Sequence, residues 1–187
     1  MTKQNKYKCI KRKLIAKNSR FNIYFDTLLL DKIKIKDYLI VSPKVKKNNN
    51  IVGICIIPKV KNKFGLMKSW RHQLNKFVWQ APAGFAERNE STKTTAQKEL
   101  LEETGLYCSK NNIKSLGSFI PDAGLLDGKV AMFVAKNLKR RAHQIDKEVG
   151  VNKLKFLTKH QINKKIKSNE INTGATLITL MKCFRYE

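Results

Sequence analysis

An uninterrupted helical stretch near the middle of the chain constrains the fold more than any other feature. Residues 92–104 contain no glycine or proline, the two residues that most often break a helix. Ser91 is a favoured N-cap, and Gly105 can adopt the left-handed conformation that ends a helix. We therefore predict a helix over Thr92–Thr104, with the strand-like segments of the chain arranged around it.

Three glutamates lie on one face of this predicted helix. Glu102 and Glu103 follow Glu99 by three and four residues, so the carboxylates project within reach of a common point. Like charges held so closely cost stability unless a hard divalent cation with oxygen ligands offsets the repulsion. The alternative is a solvated acidic face, and the three residues alone do not decide between the two.

The surroundings of the glutamates match a known motif. Gly84 is followed after five residues by Glu90 and after seven more by Lys98, and residues 98–106 have the sequence KELLEETGL. This resembles the Nudix box, Gly-x5-Glu-x7-Arg-Glu-U-x-Glu-Glu-x-Gly-U, in which U is aliphatic. Every fixed position matches except Lys98, which keeps the positive charge of arginine but loses its planar fork. The spacing is too long and too specific for a chance match.

The resemblance implies a metal site. Glu99, Glu103 and the carbonyl oxygen of Ala83 would bind Mg²⁺, with Mn²⁺ as a substitute. Glu102 would be a further metal ligand, or would serve catalysis by organising water. Relatives place a late loop glutamate that acts as metal ligand or base roughly where Glu148 stands, and a plain surface role is its alternative.

The remaining box residues have structural roles in this interpretation. Glu90 is expected to pair with Lys98 rather than to touch the metal. We expect Gly84 to let the backbone turn tightly at the end of a strand. Leu100 and Leu106 are expected to pack inward.

Segments outside the box resemble the ADP-ribose pyrophosphatase branch of the family. Residues 70–72 (WRH) and 79–84 (WQAPAG) are similar to its arginine-containing strand and its Trp-Glu-Leu-Pro-Ala-Gly segment. Pro121 stands fifteen residues after Leu106, in a loop similar to the branch's Pro-Ser-Pro-Gly. The branch implies substrate binding by Arg71 and Pro121, and a surface position is the alternative for Arg71.

Other residues near these segments leave the substrate open. Gln80 replaces the branch's glutamate, and Gly128 falls where many relatives have an acidic residue, so a different nucleoside diphosphate compound is also compatible. Trp70 and Trp79 are interpreted as core residues, with an adenine platform as the alternative.

The expected fold class is α+β: a Nudix α/β/α sandwich with a mixed sheet, preceded by a small N-terminal antiparallel β-sheet. A polar turn at residues 46–50 divides an N-terminal β subdomain, residues 1–48, from a Nudix domain, residues 49–187. Members of the branch are commonly homodimers in which the N-terminal part helps to form the partner's site, so we expect a homodimer. The predicted strands are residues 7–16, 21–30, 37–41, 51–58, 64–70, 115–120, 129–135 and 153–157, and the later helices are residues 159–167 and 173–184.

The net charge of +25 has two interpretations. A basic protein can bind nucleic acid through its phosphates. Here the lysines are scattered through every segment among many Asn and Ile residues, and they are not interleaved with aromatic residues as in a stacking groove. A genome-wide codon bias gives the same composition, so nucleic acid remains a disfavoured partner.

Hydropathy and cysteine usage indicate a cytoplasmic protein. No apolar run approaches the roughly 18 to 20 residues that cross a membrane, and no apolar segment follows the basic N-terminus as in a secretory signal. The cysteines lie far apart with no Cys-x-x-Cys pair, so we expect reduced, buried thiols; they are Cys9, Cys55, Cys108 and Cys183.

The expected reaction is Mg²⁺-dependent hydrolysis of the pyrophosphate in a nucleoside diphosphate linked to another moiety. ADP-ribose, cleaved to AMP and ribose 5-phosphate, is the first candidate substrate. A nucleotide sugar, a dinucleoside polyphosphate or a capped RNA is the alternative within the family. A non-catalytic Nudix module that binds nucleic acid or regulates a partner is the alternative outside enzymes, and the presence of all three helix glutamates disfavours it.

Overall fold

The structure is a computed structural model that describes residues 6–141 and 154–185. Its strands are β1 (Lys8–Lys17), β2 (Phe21–Leu30), β3 (Ile33–Pro43), β4 (Ile51–Val60), β5 (Lys63–Arg71), β6 (Lys76–Gln80), β7 (Ala83–Phe85), β8 (Leu106–Tyr107), β9 (Ile113–Phe119), β10 (Lys129–Ala135), β11 (Lys139–Arg140) and β12 (Lys155–Thr158). The helices are α1 (Thr92–Thr104), α2 (Lys159–Lys167) and α3 (Gly174–Arg185).

A mixed sheet of seven strands forms the centre of the protein. Five strands follow one another in the order β12-β5-β4-β10-β9, while β6 pairs with β5 and β7 pairs with β4. The pairing of β4 with β10 is parallel, and the others are antiparallel. Short strands β8 and β11 form a separate pair.

Helices cover both faces of this sheet, as β4 shows. Its residues Ile54 and Ile56 pack in the same core cluster as Leu100 of α1. The alternate residues Cys55 and Ile57 belong to a second cluster, which contains residues of α2 and α3. A strand buried on both faces is apolar throughout, which explains the continuous hydrophobic run that begins at Ile51. The predicted α/β/α sandwich is confirmed.

The N-terminal sheet is antiparallel, in the order β1-β2-β3, as predicted. The predicted third strand, residues 37–41, was too short, because β3 continues from Ile33 to Pro43. Asp37 has a φ of 55°, so the strand passes through an irregular residue that resembles a turn in the sequence. The strand's far end joins the larger unit, where the N–H of Val41 donates to the carbonyl of Leu125 at 2.9 Å.

The central helix has the predicted bounds and caps. The Oγ of Ser91 accepts a hydrogen bond from the N–H of Thr94 at 3.1 Å, and Gly105 has a φ of 67°. Leu100 and Leu106 are buried, as expected. Within residues 6–141 and 154–185 the helices are all too short or too polar to span a bilayer.

Three of the four cysteines are buried, as predicted, but Cys9 is exposed on β1. The prediction was wrong for Cys9 because every residue of β1 is exposed. Burial raises the pKa of Cys55 to about 12 and also raises the pKa of Cys108, so both remain protonated thiols at neutral pH.

Candidate active site

Glu99 reaches from α1 to Gly84 on strand β7. A Cβ atom on Gly84 would lie 1.8 Å from Oε1 of Glu99, so only glycine leaves room for this carboxylate. Gly84 pairs with Ile54 inside the strand, and its φ is not positive. The predicted tight turn at Gly84 was therefore wrong: the glycine is needed for close approach of a side chain.

Glu103 reaches the residue next to Gly84. Its Oε2 accepts a hydrogen bond from the backbone N–H of Ala83 at 3.1 Å. Consecutive Cα atoms are about 3.8 Å apart, so two glutamates one helical turn apart meet β7 at neighbouring residues. The structure thus brings together Ala83, Glu99 and Glu103, three of the residues expected to bind metal.

The segment that leads into β7, residues 81–82, is hydrogen-bonded on two sides. The carbonyl of Pro82 accepts a hydrogen bond from the N–H of Ile56 at 2.9 Å, which holds it to β4. On the other side, the N–H of Ala81 donates to the buried Oγ1 of Thr176 on α3 at 3.1 Å. Backbone held at successive residues in this way presents a rigid edge to the glutamates of α1.

Glu90 pairs with Lys98, as predicted. The Nζ of Lys98 lies 2.9 Å from Oε1 of Glu90, whereas Oε2 of Glu90 is buried with no hydrogen-bond partner among the described residues. The hydrogen bond with Glu90 raises the pKa of Lys98, and the charges of Glu90 and Glu102 add to the rise. Glu102 is half-buried and lies within electrostatic reach of Lys98.

The donor set suits a hard divalent cation. In the part of the chain that the structure describes, no three His, Cys, Asp or Glu side chains form a metal-binding group by themselves. Mg²⁺ is commonly held by one or two carboxylates and completes its shell with water and substrate oxygens. Glu99, seated against Gly84, and Glu103, anchored to Ala83, supply such a pair of carboxylates. The residues therefore fit Mg²⁺ or Mn²⁺.

Arg71 lies beside the approach to β7. Its Nε donates to Oε1 of Gln80 at 2.9 Å, and its Nη2 donates to the same oxygen. The Nε2 of Gln80 in turn donates to Oγ of Ser69 at 2.9 Å. Gln80 stands three residues before Ala83, so their Cα atoms are at most about 11 Å apart. The predicted substrate-binding arginine is thus hydrogen-bonded to the segment that leads into β7.

Pro121 is exposed on the loop between β9 and β10, and Asp127 anchors that loop to the N-terminal part of the chain. Asp127 Oδ atoms lie 3.1 Å from both Ser42 Oγ and Asn50 Nδ2. A hydrogen bond from Lys46 is the main cause of the lowered pKa of Asp127. The loop is thus held to residues 41–50. Glu148, the expected late loop glutamate, lies outside the described residues.

The absence of a side chain at position 128 has a steric cause. A Cβ atom on Gly128 would lie 2.4 Å from Cγ1 of the buried Val52, so a larger residue would require Val52 to move. The neighbouring acidic residue, Asp127, is engaged with Ser42, Lys46 and Asn50.

The two tryptophans differ in environment. Trp79 is buried, as expected, and the ammonium groups of Lys68 and Lys165 lie 5.5 and 5.1 Å from its ring centre. Trp70 was wrongly expected in the core: it is 39% exposed and packs edge-on against Phe77, with ring centres 5.3 Å apart. Trp70 lies near the end of the β5–β6 hairpin, where residues 70–77 are all exposed.

The sequence interpretation missed two residues of this region. Ser69 lies two residues before Arg71 on β5, so strand alternation places both on one face, and this signal was available. Thr176, which accepts from Ala81, carries no comparable signal because its contact joins residues 95 positions apart.

Comparison with known proteins agrees with this geometry. The sequence profile of the NUDIX domain matches residues 48–175, which is more than half of the chain. The chain belongs to the Nudix family. This Nudix chain is 27% identical over 175 residues to the methanol dehydrogenase activator of Bacillus methanolicus, covering 92% of each sequence. It is 24% identical over 171 residues to the ADP-ribose pyrophosphatase of Bacillus subtilis (strain 168), covering 90% of each.

A solved structure shows that the fold is also shared. The crystal structure of an ADP compounds hydrolase superposes with a TM-score of 0.83 and 15% identity, covering 100% of this chain and 96% of that one. The expected resemblance to the ADP-ribose pyrophosphatase branch of the Nudix family is confirmed. The expected enzyme class, a Nudix pyrophosphohydrolase, is supported by the same matches.

Proposed function

We propose that this Nudix protein uses Mg²⁺, or Mn²⁺ as a substitute, to hydrolyse the pyrophosphate of a nucleoside diphosphate linked to another moiety. ADP-ribose, cleaved to AMP and ribose 5-phosphate, is the substrate we expect to be preferred. The observation that carries the proposal is the meeting of Glu99 and Glu103 with the adjacent residues Gly84 and Ala83. The name of the Bacillus subtilis relative adds support for the substrate.

The chain's own residues would prepare the metal position before substrate arrives. Glu99, Glu103 and the carbonyl oxygen of Ala83 would be ligands. The hydrogen bond from Ala83 restricts the rotamers of Glu103, and the close contact with Gly84 restricts those of Glu99. Both side chains therefore lose little conformational entropy when a metal ion binds. When bound there, Mg²⁺ would neutralise charge on the phosphate oxygens and lower the pKa of a bound water.

Glu102 and Glu148 are the proposed catalytic carboxylates. Glu102 lies on the same helix as the ligands and is half-buried, which suits a residue that binds metal or orders the attacking water. Glu148 is proposed as ligand or base on the resemblance alone. Removal of each carboxylate in turn, with rates measured across pH, distinguishes a base from a ligand, because loss of a base changes the pH profile.

Arg71 and Pro121 are the proposed substrate-binding residues. Arg71 is hydrogen-bonded to Gln80, three residues before Ala83, and a guanidinium matches phosphate oxygens with paired N–H donors. The fixed φ of Pro121 limits how far its loop can rearrange, and Asp127 anchors the same loop. A stiff loop of this kind would select the shape of the terminal sugar.

The N-terminal sheet suits the proposed homodimer. Residues 1–48 would form the β subdomain and residues 49–187 the Nudix domain. The described part of the N-terminal segment exposes several large apolar side chains, which a second copy would cover: Tyr7, Ile10, Leu14, Ile15, Ile33 and Leu39. Sedimentation equilibrium of the wild-type chain tests this, and a monomer at micromolar concentration would contradict it.

A second candidate function is activation of a dehydrogenase. The observation that favours it is the similarity to the Bacillus methanolicus activator, which covers 92% of both chains. Addition of the wild-type protein to that organism's methanol dehydrogenase tests it directly. An unchanged dehydrogenase rate would remove this candidate and leave the hydrolase proposal intact.

A substrate screen tests the proposed activity. ADP-ribose, nucleotide sugars, dinucleoside polyphosphates and nucleoside triphosphates would be assayed at one Mg²⁺ concentration and one pH. We expect ADP-ribose or a close ADP-sugar to show the highest kcat/KM. A triphosphate or dinucleoside polyphosphate preferred by tenfold, about 1.4 kcal/mol of transition-state discrimination, would overturn the substrate assignment but not the family.

A further inference from the structure

Ser69, Gln80 and Arg71 form a hydrogen-bonded chain beside the proposed site. Ser69 and Gln80 are buried on neighbouring strands β5 and β6, whereas the Arg71 side chain is exposed. The two hydrogen bonds of Arg71 go to one oxygen, Oε1 of Gln80, and the amide group of Gln80 then donates to Oγ of Ser69 at 2.9 Å. These hydrogen bonds therefore connect the buried hydroxyl of Ser69 to the exposed guanidinium of Arg71.

The orientation of the Gln80 amide is fixed by Arg71. A guanidinium can only donate hydrogen bonds, so it must face the amide oxygen. A flipped amide would point its NH₂ group at the N–H groups of Arg71, and two donors facing each other lose a hydrogen bond. Ser69 accepts from the NH₂ group and completes the arrangement. The guanidinium is thus held in one direction by a buried scaffold.

Gln80, the hydrogen-bond partner of Arg71, is neutral and therefore leaves the positive charge of the guanidinium uncompensated. A guanidinium has five N–H donors, and two of them are used by Gln80. Within residues 6–141 and 154–185, Arg71 makes no salt bridge. The ADP-ribose pyrophosphatase branch usually has glutamate at position 80. A glutamate there would bind the same N–H groups of Arg71 and neutralise the charge of the guanidinium. Gln80 holds the arginine without neutralising it.

We propose that Gln80, oriented by Ser69, is a positioning and specificity-setting residue. It aims the Arg71 guanidinium at the substrate phosphates and leaves its full charge available to them. This inference rests on the proposed function in that the anionic ligand is a nucleoside diphosphate compound. It adds that the diphosphate part is bound through a charge interaction that a carboxylate at position 80 would weaken.

The decisive variant is Gln80→Glu, which keeps the shape of the side chain and adds one negative charge. We expect the KM for ADP-ribose to rise about tenfold, because the added negative charge offsets the attraction of Arg71 for the phosphates through partly screened solvent. The value of kcat should change by less than about twofold. The salt dependence of kcat/KM should become shallower, because the local attraction is smaller.

A matched control separates this local effect from net charge. Asn62→Asp adds the same charge at the exposed turn between β4 and β5, and should leave KM and the salt dependence unchanged. Thermal unfolding of both variants checks that each is folded. If Gln80→Glu proves unfolded, Ser69→Ala provides the second test: it should raise KM about threefold, and Ser69→Thr, which keeps the hydroxyl, should restore it.

A binding measurement keeps the inference independent of turnover. ADP would be titrated into each folded variant in EDTA by calorimetry. The inference is supported if the dissociation constant for ADP is about tenfold higher for Gln80→Glu and unchanged for Asn62→Asp. This holds even if no substrate is hydrolysed; the absence of hydrolysis would defeat the proposed function instead. Equal ADP affinity of wild type and Gln80→Glu, with unchanged KM, would overturn the inference even in an active hydrolase.

Discussion

A Cβ atom on Gly84 would lie 1.8 Å from Oε1 of Glu99, so the position of the proposed ligand depends on the absence of a side chain at residue 84. Gly84→Ala should displace the Glu99 carboxylate and lower kcat/KM by about 100-fold, the usual cost of a misplacement of about 1 Å. Gly174→Ala is the matched control, because its added Cβ has no atom within 4 Å apart from its chain neighbours and the backbone of its own helix. Equal kcat/KM values for the two variants would show that the close contact of Glu99 with Gly84 is irrelevant to the reaction.

Glu103→Gln tests the charge of the second proposed ligand. Glutamine can still accept the hydrogen bond from Ala83, so the thermal unfolding temperature should change by only a few degrees. We expect kcat to fall at least about 100-fold, equivalent to about 2.7 kcal/mol of transition-state stabilisation. The exposed Glu87→Gln is the control for charge loss. A Glu103→Gln variant with the wild-type rate would place the metal elsewhere.

Lys98→Arg should stabilise the protein. Lysine satisfies only Oε1 of Glu90, while Oε2 is buried with no hydrogen-bond partner among the described residues. An arginine fork can bind both oxygens, and we expect a gain of about 0.5–1 kcal/mol in the free energy of unfolding. Urea denaturation measures this, with Lys93→Arg on the same helix as control. Equal gains in both variants would attribute the effect to arginine in general.

Asp26→Asn tests a partly buried ion pair in the N-terminal sheet. Asp26 is 3% exposed and binds Nε and Nη2 of Arg12 at 2.8 and 2.7 Å. Because the Arg12 side chain is half exposed, we expect a loss of about 2 kcal/mol at pH 7, less than for a fully buried pair.

The hydrogen bond from Arg12 also lowers the pKa of Asp26, which makes this loss dependent on pH. The ionised carboxylate stabilises the fold fully above its unfolded pKa of about 3.9, and this contribution disappears as pH falls through the lower folded-state value. Urea denaturation at pH 7, 5 and 3 should therefore give a constant difference between wild type and Asp26→Asn at the two higher values and a smaller one at pH 3. A difference that does not depend on pH would contradict the ion-pair account.

The sequence predicted the elements that have strong local signals. The helix Thr92–Thr104 has a cap at each end, and β10 (Lys129–Ala135) is an apolar run between polar turns, so local rules were sufficient. The strands β6 and β7 were not predicted in full, because they are short and are defined by pairing with β5 and β4. Tertiary pairing, which local propensity does not contain, determines such strands.

In the candidate site, too, local sequence signals predicted some features, and tertiary packing determines the others. The spacing of Glu99 and Glu103 placed them on one helix face, but only the packing of α1 on β7 shows that Gly84 is needed for close approach. The contact of Arg71 with Gln80 depends on the register of the hairpin, in which Arg71 pairs with Lys76 and Met67 with Gln80. A shift of one residue would turn Arg71 to the other face, so the sequence alone could not establish this contact.

The central claim is that the carboxylates of α1 support metal-dependent cleavage of a nucleoside diphosphate compound. The most direct measurement is the rate of AMP release from ADP-ribose by the wild-type protein, with Mg²⁺ and with excess EDTA. We predict rapid release of AMP with Mg²⁺, no release above background in EDTA, and full recovery when Mg²⁺ is added back. Undiminished AMP release in excess EDTA would contradict the account.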